Sequence, residues 1–470
     1  MPFNGRDARH PNKVSRVRCC RATFLVLWIV LTSQPILAEG SVVRLKLDEA
    51  IRIALVNSPR IQQVLSQLDI AREEVEIAAA PKRLFVNIRA GVERIQPAQT
   101  PSVQATLSGI EGDFQTNPSF AYNSLEGTII LKKTIFDGGL VAAQIAASRF
   151  GAKSTQYEAL FDWRMLYLEI ETAYIDVLRA QEQIENAKAS LELARMNLTT
   201  AEKRFAVGQV PRGDIVFAQV PLAQAELELQ RSQFARQSAV ERLLQLMGLP
   251  QDTKIELSPL PPASDFKQSL EEDIASAFER RYDLKAVESE VSRSELALKA
   301  ARKEDDPRIA VGASINPAGF DGQQLAPGGY RVGVQLEWPL LSGNVVAHQI
   351  KAAQAELEMR GATLEVKRQE IEREVREAHR EVLLAEIARD SSSLQVEQAR
   401  ESLRIAQGQY RAGLAGFTVV NEQQRELVRT QGQHTIARYS YLISRAKLSQ
   451  AIGADIIADI TTEYPPQAQD

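Results

Sequence analysis

Four histidines, His10, His348, His379 and His434, are the side chains of this 470-residue sequence best suited by type to hold a metal or move a proton. Their spacing does not suit the task. His348 and His379 stand 31 residues apart on one predicted helix, too far to share an ion, and no ligand cluster surrounds His434. The sequence contains no glycine-rich phosphate loop, no serine elbow and no zinc spacing. Its only cysteines, Cys19 and Cys20, are adjacent and lie near the start. The 60 Asp and Glu residues alternate with Lys and Arg along helical faces, as solvated surfaces do. Side-chain chemistry therefore predicts no enzyme, no cofactor and no metal, and the elements themselves must carry the function.

Composition narrows the class. With 44% hydrophobic and 25% charged residues, disorder and collagen-like repetition are excluded. Six basic residues (Arg6, Arg9, Lys13, Arg16, Arg18, Arg21) against Asp7 alone fall within residues 1–38. The remainder holds 50 basic and 59 acidic groups, a net charge of −9 that opposes nucleic-acid binding. The basic stretch precedes an apolar run, Ala22–Leu31, and a small residue, Ala38, offers a cleavage site. That order reads as a secretory signal over 1–38. The apolar run falls far short of the roughly 20 residues a membrane-spanning helix needs. Cleavage would leave a mature chain free of cysteine, held by packing alone.

The chain is an internal duplication. Ile135–Gly139 aligns with Leu340–Asn344, Phe205–Gly208 with Tyr410–Gly413, and Gly248 with Gly453, all at one offset of 205 without a gap. Upstream, Leu47–Ile51 aligns with Leu270–Ile274 at an offset of 223, so the first copy carries 18 extra residues between Val92 and Leu125. The predicted organisation is a first repeat over 39–248, a Pro-rich linker over 249–265, a second repeat over 266–453 and a tail over 454–470. Each repeat reads helix, hairpin, very long helix, turn, long helix. Between Gly138 and Phe205 there is no proline, and Ile170, Ala173, Val177, Ala180, Ile184, Ala187 and Leu191 recur in heptad steps. Val375, Ala378, Val382, Val396, Ala399 and Leu403 repeat the pattern. These heptads predict coiled-coil packing over roughly 100 Å of helix.

Four segments alternate instead with period two: about 84–93, 124–133, 307–315 and 330–338. Each has the length at which a tilted strand crosses a bilayer. A half-buried soluble sheet alternates likewise, but the intervening Arg94–Ser119 and Asn316–Gly329 are long Gly/Pro/Gln/Ser-rich loops, the habit of membrane barrels. Tyr330 and Trp338 suit an interfacial aromatic belt. Four strands leave two edges that lipid does not tolerate. Eight strands from two copies would enclose an interior filled by side chains, whereas twelve from three leave room for a passage.

These marks together, Leu45–Pro59, Ile135–Gly139, Arg204–Gly208 and Tyr410–Gly413 in their order and duplication, resemble the outer-membrane efflux protein family, the TolC-like exit ducts. The resemblance covers residues about 41–460. It implies a mostly α fold with a small membrane β part: a homotrimer whose strands close a 12-stranded barrel in outer-membrane lipid, continuous with a 12-helix tunnel in a Gram-negative periplasm. It implies a passive channel in a tripartite efflux or type I secretion system, coupled to an inner-membrane pump through a periplasmic adaptor. The expected docking tips are Arg204, Phe205, Val207 and Gly208 with Tyr410 and Gly413, although these residues would equally serve only to end helices. Family members narrow the tunnel near such tips with acidic rings. No Asp lies between Asp390 and Tyr410 here, so Glu397 and Glu401 are the acids placed to form one. Asp214 is placed to cap the returning helix or pair across the tip. A periplasmic coiled-coil scaffold or adaptor is the alternative for the heptads, and a diffusion porin the alternative for the strands.

Overall fold

The computed structural model describes residues 43–95, 122–261, 266–267, 269–316, 319–321, 324–326 and 328–454. The expected signal segment, most of the first long loop, part of the linker and the tail beyond Ala454 lie outside these residues. The chain divides into two compact units, one comprising residues up to Arg44 with Lys254–Glu256, the other Leu45–Thr253 with Leu257–Asp470. In the first, Arg44 Nε donates to Glu256 Oε2 at 3.0 Å, and the short strands β1 (Val43–Leu45) and β4 (Ile255–Leu257) pair. Neither strand was expected from the alternation, because three residues are too few to establish a period.

The larger unit holds eight helices among its described residues. In the first repeat they are α1 (Leu47–Asn57), α2 (Pro59–Ala79), α3 (Leu140–Ala206) and α4 (Arg212–Met247). In the second they are α5 (Leu270–Arg280), α6 (Tyr282–Ala301), α7 (Val345–Arg411) and α8 (Phe417–Ile452). Adding 205 to the bounds of α3 and α4 returns those of α7 and α8, and adding 223 to α1 returns α5. The local signals account for the boundaries. Pro59 opens α2, where its missing N–H costs nothing. Ser269 Oγ accepts from Glu272 N at 3.2 Å to cap α5. Asp137 accepts from Gly139 N at 2.9 Å and Val141 N at 3.1 Å where α3 begins.

Packing follows the heptads. Leu191, Ala194 and Ala225 form one cluster between α3 and α4, flanked by Leu222 and Leu229. Val396, Ala399, Leu403 and Ala406 of α7 bury against Phe417, Val420 and Leu427 of α8. Each long helix thus forms an apolar hairpin with its returning partner. Between the two hairpins the seam is mixed: Ala201 of α3 and Ala218 of α4 join the α7–α8 cluster, while Asn186 Nδ2 donates to Thr435 Oγ1 at 2.9 Å and Asn197 Nδ2 to Gln424 Oε1 at 2.6 Å. Glu182 Oε2 accepts there from Arg438 Nη1 at 2.9 Å and from the Tyr439 hydroxyl at 3.0 Å.

The duplication extends to tertiary contacts. Gly248, ending α4 at φ 68°, lies so close to the α1–α2 junction that a Cβ would sit 2.5 Å from Asn57 O. Gly453, ending α8, lies against Arg280 and Arg281 at the α5–α6 junction in the same way. Each junction is also tied to the long helix of its own repeat, by Arg60–Glu169 at 2.9 Å and Arg281–Glu374 at 2.8 Å, the two glutamates again 205 apart. The second junction is the more elaborate. Arg281, 3% exposed, also pairs with Asp283 at 2.6 Å and donates to Ala451 O at 3.3 Å, while Lys367 reaches Asp283 at 2.9 Å. Burial alone would push the Asp283 carboxyl up, but the hydrogen bonds and charges of Arg281 and Lys367 outweigh it and hold it below the usual carboxylate range.

The strands form one antiparallel sheet in the order β2 (Phe85–Ile95), β3 (Tyr122–Phe136), β5 (Arg308–Asn316), β8 (Gly329–Glu337). β3 outlasts its expected end, bulges between Thr134 and Phe136, and pairs with β5 along its second half. Its first half pairs with β6 (Gly319–Asp321), which forms a hairpin with β7 (Gln324–Ala326). This hairpin lies within the stretch read as a plain loop, and the Asp321-Gly322 pair was its available signal. β8 ends one residue earlier than expected, leaving Trp338 just beyond it.

Removing Arg281 leaves Asp283 buried with Lys367 alone, so Arg281→Ala should lower unfolding stability by about 3 kcal/mol in chemical denaturation of the detergent-solubilised protein. Because the folded carboxyl of Asp283 is depressed, its contribution is present above the unfolded value of about 3.9 and is lost as pH falls through the folded value. The stability gap between wild type and Asp283→Asn should therefore close in acid. Glu171 on α3 has the opposite sign, since burial pushes its carboxyl up to about 7. Its contribution is complete below the unfolded value and is lost as pH rises through about 7. Glu171→Gln should consequently be more stable than wild type at about pH 8, with the difference vanishing at about pH 4.

Candidate functional site

Two places concentrate unusual surface: the faces of the sheet and the ends of the helical hairpins. On the sheet, register carries the sequence alternation across all four strands. Ile88 faces Ile129, Ile129 faces Ile315 and Ile315 faces Tyr330; Val86, Leu131, Ala313 and Val332 form the next row. These residues give one apolar face, interrupted by Lys133 in the row of Val311 and Val334, and most of it is exposed in the single chain, Tyr330 at 84% and Val334 at 72%. The intervening residues, Asn87, Arg89, Thr128, Lys132, Gly312, Ser314, Arg331 and Gln335, give a polar or small opposite face, interrupted by Phe85 and Ile130. Among the described residues, β2 pairs only with β3, and β8 only with β5. Both strands present an open edge.

At the other end of the chain's long helices, the two turns share one geometry. Gln209 N donates to Arg204 O at 2.9 Å, and Leu414 N to Gln409 O at 2.9 Å. Gly208 and Gly413 sit at φ 72° and 75°, where a side chain would be strained. The turns differ in their aromatics. Tyr410 is buried, with its ring 5.5 Å from Phe417 in an edge-on contact and the Arg204 guanidinium 4.7 Å from its centroid. Arg204 Nη1 donates to Tyr410 O at 2.5 Å, and the Tyr410 hydroxyl donates to Asp214 Oδ2 at 3.1 Å. Burial and the Asp214 carboxylate push that hydroxyl up, so it remains a donor. Phe205 and Val207, by contrast, face solvent.

The structure thus brings Arg204, Asp214 and Tyr410 together, and Asp214 pairs across the tip rather than capping α4. Glu397 and Glu401 are not part of this cluster. Glu401 lies roughly 14 Å along α7 from Tyr410 and is exposed, where a hydrogen bond from Arg404 holds its carboxyl below the usual range. Two tip residues escaped the sequence reading. Leu414 is 81% exposed beside Gly413, and Phe417 supports Tyr410 from the first turn of α8. Phe417 aligns with Arg212 in the first repeat, so its signal was a departure from the duplication rather than agreement with it. Further along, a groove of about 760 Å³ runs between α3, α4 and α8, beside Pro221, Gln224, Gln424 and Gly432. No helix among the described residues is long and apolar enough to cross a membrane.

Comparison with known proteins matches two segments of the chain, residues 50–249 and 274–454, to the profile described as Outer membrane efflux protein. The chain is similar to protein CyaE of Bordetella pertussis, with 25% identity over 86% of this chain and 81% of that protein. It is similar to the alkaline protease secretion protein AprF of Pseudomonas aeruginosa, with 25% identity over 88% of this chain and 86% of that protein. In fold it resembles the crystal structure of the outer membrane protein VceC from Vibrio cholerae, with a TM-score of 0.72 at 19% identity, over 87% of this chain and 96% of that one.

Tyr410→Phe keeps the ring contacts and removes the donor to Asp214. Loss of one charge-assisted hydrogen bond, about 1–2 kcal/mol, should speed amide hydrogen exchange over residues 204–216 by roughly 5- to 30-fold. Phe205→Ala, which removes a solvent-facing ring, should leave that exchange unchanged.

Proposed function

This chain belongs to the outer membrane efflux protein family, and from that premise we propose that it is the outer-membrane exit duct of a tripartite efflux or type I secretion system. The observation that carries the reading is the sheet: an apolar face, broken only at Lys133 in the rows named, bounded by two open edges. Strands of 11, 9 and 9 residues for β2, β5 and β8 match the hydrocarbon thickness. The apolar face belongs against lipid, and β2 of one copy belongs against β8 of the next. Three copies close twelve strands around a lumen lined by the polar face. The chain itself performs no chemistry, and solute passes down a gradient maintained by an inner-membrane pump.

The helices support the same closure. α4 carries an exposed stripe, Phe217, Val220, Leu227 and Phe234, on the side away from its buried seam with α3. α7 carries another, Leu384, Ile387, Leu394 and Ile405, away from α8. Both stripes follow heptad spacing. Counted from the tip turns, Ile405, Leu394 and Ile387 stand level with Phe217, Leu227 and Phe234 to within two residues. Packing α4 of one copy on α7 of the next, antiparallel, buries both stripes and completes a twelve-helix tunnel in the periplasm. The tips then offer Phe205, Val207 and Leu414 to a periplasmic adaptor, with Arg204, Gly208, Tyr410 and Gly413 holding the turns in shape. Glu397 and Glu401, repeated threefold, line a narrowing above them with Asp214 at its base, Glu401 being paired with Arg404.

Protein extracted from purified outer membranes in mild detergent should have the native mass of three chains. Soluble monomer or dimer in the periplasmic fraction would overturn the barrel and leave a coiled-coil scaffold. Leu394→Asp should shift the detergent-extracted protein from trimer to monomer while leaving its helical circular dichroism within about a tenth of wild type, because an exposed charge on one chain costs little until a neighbour buries it.

A further inference from the structure

We propose that the lumen face of the barrel carries a basic belt that concentrates small anionic solutes, an inference that rests on the exit-duct reading and adds a preferred substrate charge to it. Cross-strand register places one cation on each of three successive lumen rungs. In the first, Lys132 stands between Phe85 on β2 and Gly312 on β5, with Gly333 on β8 beyond. The second runs Asn87, Ile130, Ser314, Arg331. In the third, Arg89 faces Thr128. Lys132, Arg331 and Arg89 are all exposed, and among the described residues none of them makes an ion pair.

The neighbours of the belt sharpen it. Toward the helices the next rung, Thr134, Ala310 and Gln335, is neutral. The rung below sets Arg308 opposite Glu337, and Arg308 also pairs with Glu304, so no net positive charge accumulates there. Toward the other end, exposed Glu93 stands two rungs beyond Arg89 on β2, and the sign reverses. Rungs on one face repeat about every 6.6 Å along a strand. Three rungs therefore span about 13 Å, comparable with the Debye length of about 8 Å at physiological ionic strength, and their fields overlap. Threefold repetition sets nine cations around one passage walled by sheet and lipid, a geometry that raises local anion concentration roughly tenfold or more. Gly312 and Gly333 place no side chain beside Lys132 on the β5 side of its rung.

The test exploits the cysteine content of the chain. In full-length protein with Cys19→Ser and Cys20→Ser, Gly333→Cys introduces a single thiol on the Lys132 rung, and Val334→Cys a single thiol on the apolar face. Trimer in lipid vesicles is treated with methanethiosulfonate reagents bearing either a sulfonate or an ammonium, which enter through the outer mouth regardless of the state of the helical tips. The belt predicts that Gly333→Cys favours the sulfonate reagent relative to a free thiol. Adding Lys132→Gln, Arg331→Gln and Arg89→Gln should then lower the sulfonate-to-ammonium rate ratio by roughly tenfold. Should the triple replacement fail to assemble, Lys132→Gln alone carries the test, with a smaller fall expected. An unchanged ratio in an assembled trimer would overturn the belt while leaving the duct intact. Equal reactivity of the Gly333→Cys and Val334→Cys thiols toward both reagents would instead overturn the assignment of lumen and lipid faces, and with it the duct.

Discussion

The backbone groups along the free edges of β2 and β8 are the constraint on which the rest of this molecule depends. In hydrocarbon an N–H or C=O without a partner costs several kcal/mol, and no side chain can discharge that cost along a whole strand. A four-stranded sheet with one apolar face is consequently an incomplete object. Only a neighbouring sheet supplies the missing bonds, and the cheapest neighbour is another copy. In the proposed trimer the helices accommodate the geometry that barrel closure imposes, and the outward stripes on α4 and α7 suit the same arrangement.

Within one chain the packing is of two kinds. Leucine and alanine seams join α3 to α4 and α7 to α8, burying apolar area that contributes about 25 cal/mol per Å². The seam between those hairpins adds to the apolar contacts of Ala201 and Ala218 a set of amides, hydroxyls and Glu182, whose net contribution per hydrogen bond is only about 1 kcal/mol. Apolar seams thus hold each hairpin, and polar contacts add to the boundary between the two. The Arg204–Tyr410–Asp214 cluster bridges that boundary at its far end. The buried Arg281 cluster anchors α7 and α8 at the end nearer the sheet.

The elements that repeat were legible in the sequence, because duplication supplies two independent readings of each. The 205-residue offset locates α7 and α8 from α3 and α4, and glycine marks both tips. Strand faces were legible too, since a period of two survives any uncertainty about partners. What the sequence hides is whatever depends on three-dimensional neighbours. Phe205 and Tyr410 occupy equivalent positions, yet one is solvent-facing and the other is the hub of a cluster, because Phe417 exists on one side only. The Arg281 cluster gathers charges from α5–α6, α7 and α8 that no spacing rule connects. The cations of the polar sheet face were individually visible as alternating residues, but their succession across rungs emerges only from strand register.

One feature of the repeats limits how such a molecule can change over time. α3 and α7 have 67 residues each, and α4 and α8 have 36 each. Both long helices begin at positions 205 residues apart, so their turns come level, as the contact between Arg204 and Tyr410 requires. A segment inserted in one helix would lift one turn past the other, and any length other than whole heptads would rotate its seam off its partner. Four helices must therefore lengthen or shorten together, in steps of about seven residues. Reach is inherited as a single quantised trait, one that point substitution cannot adjust.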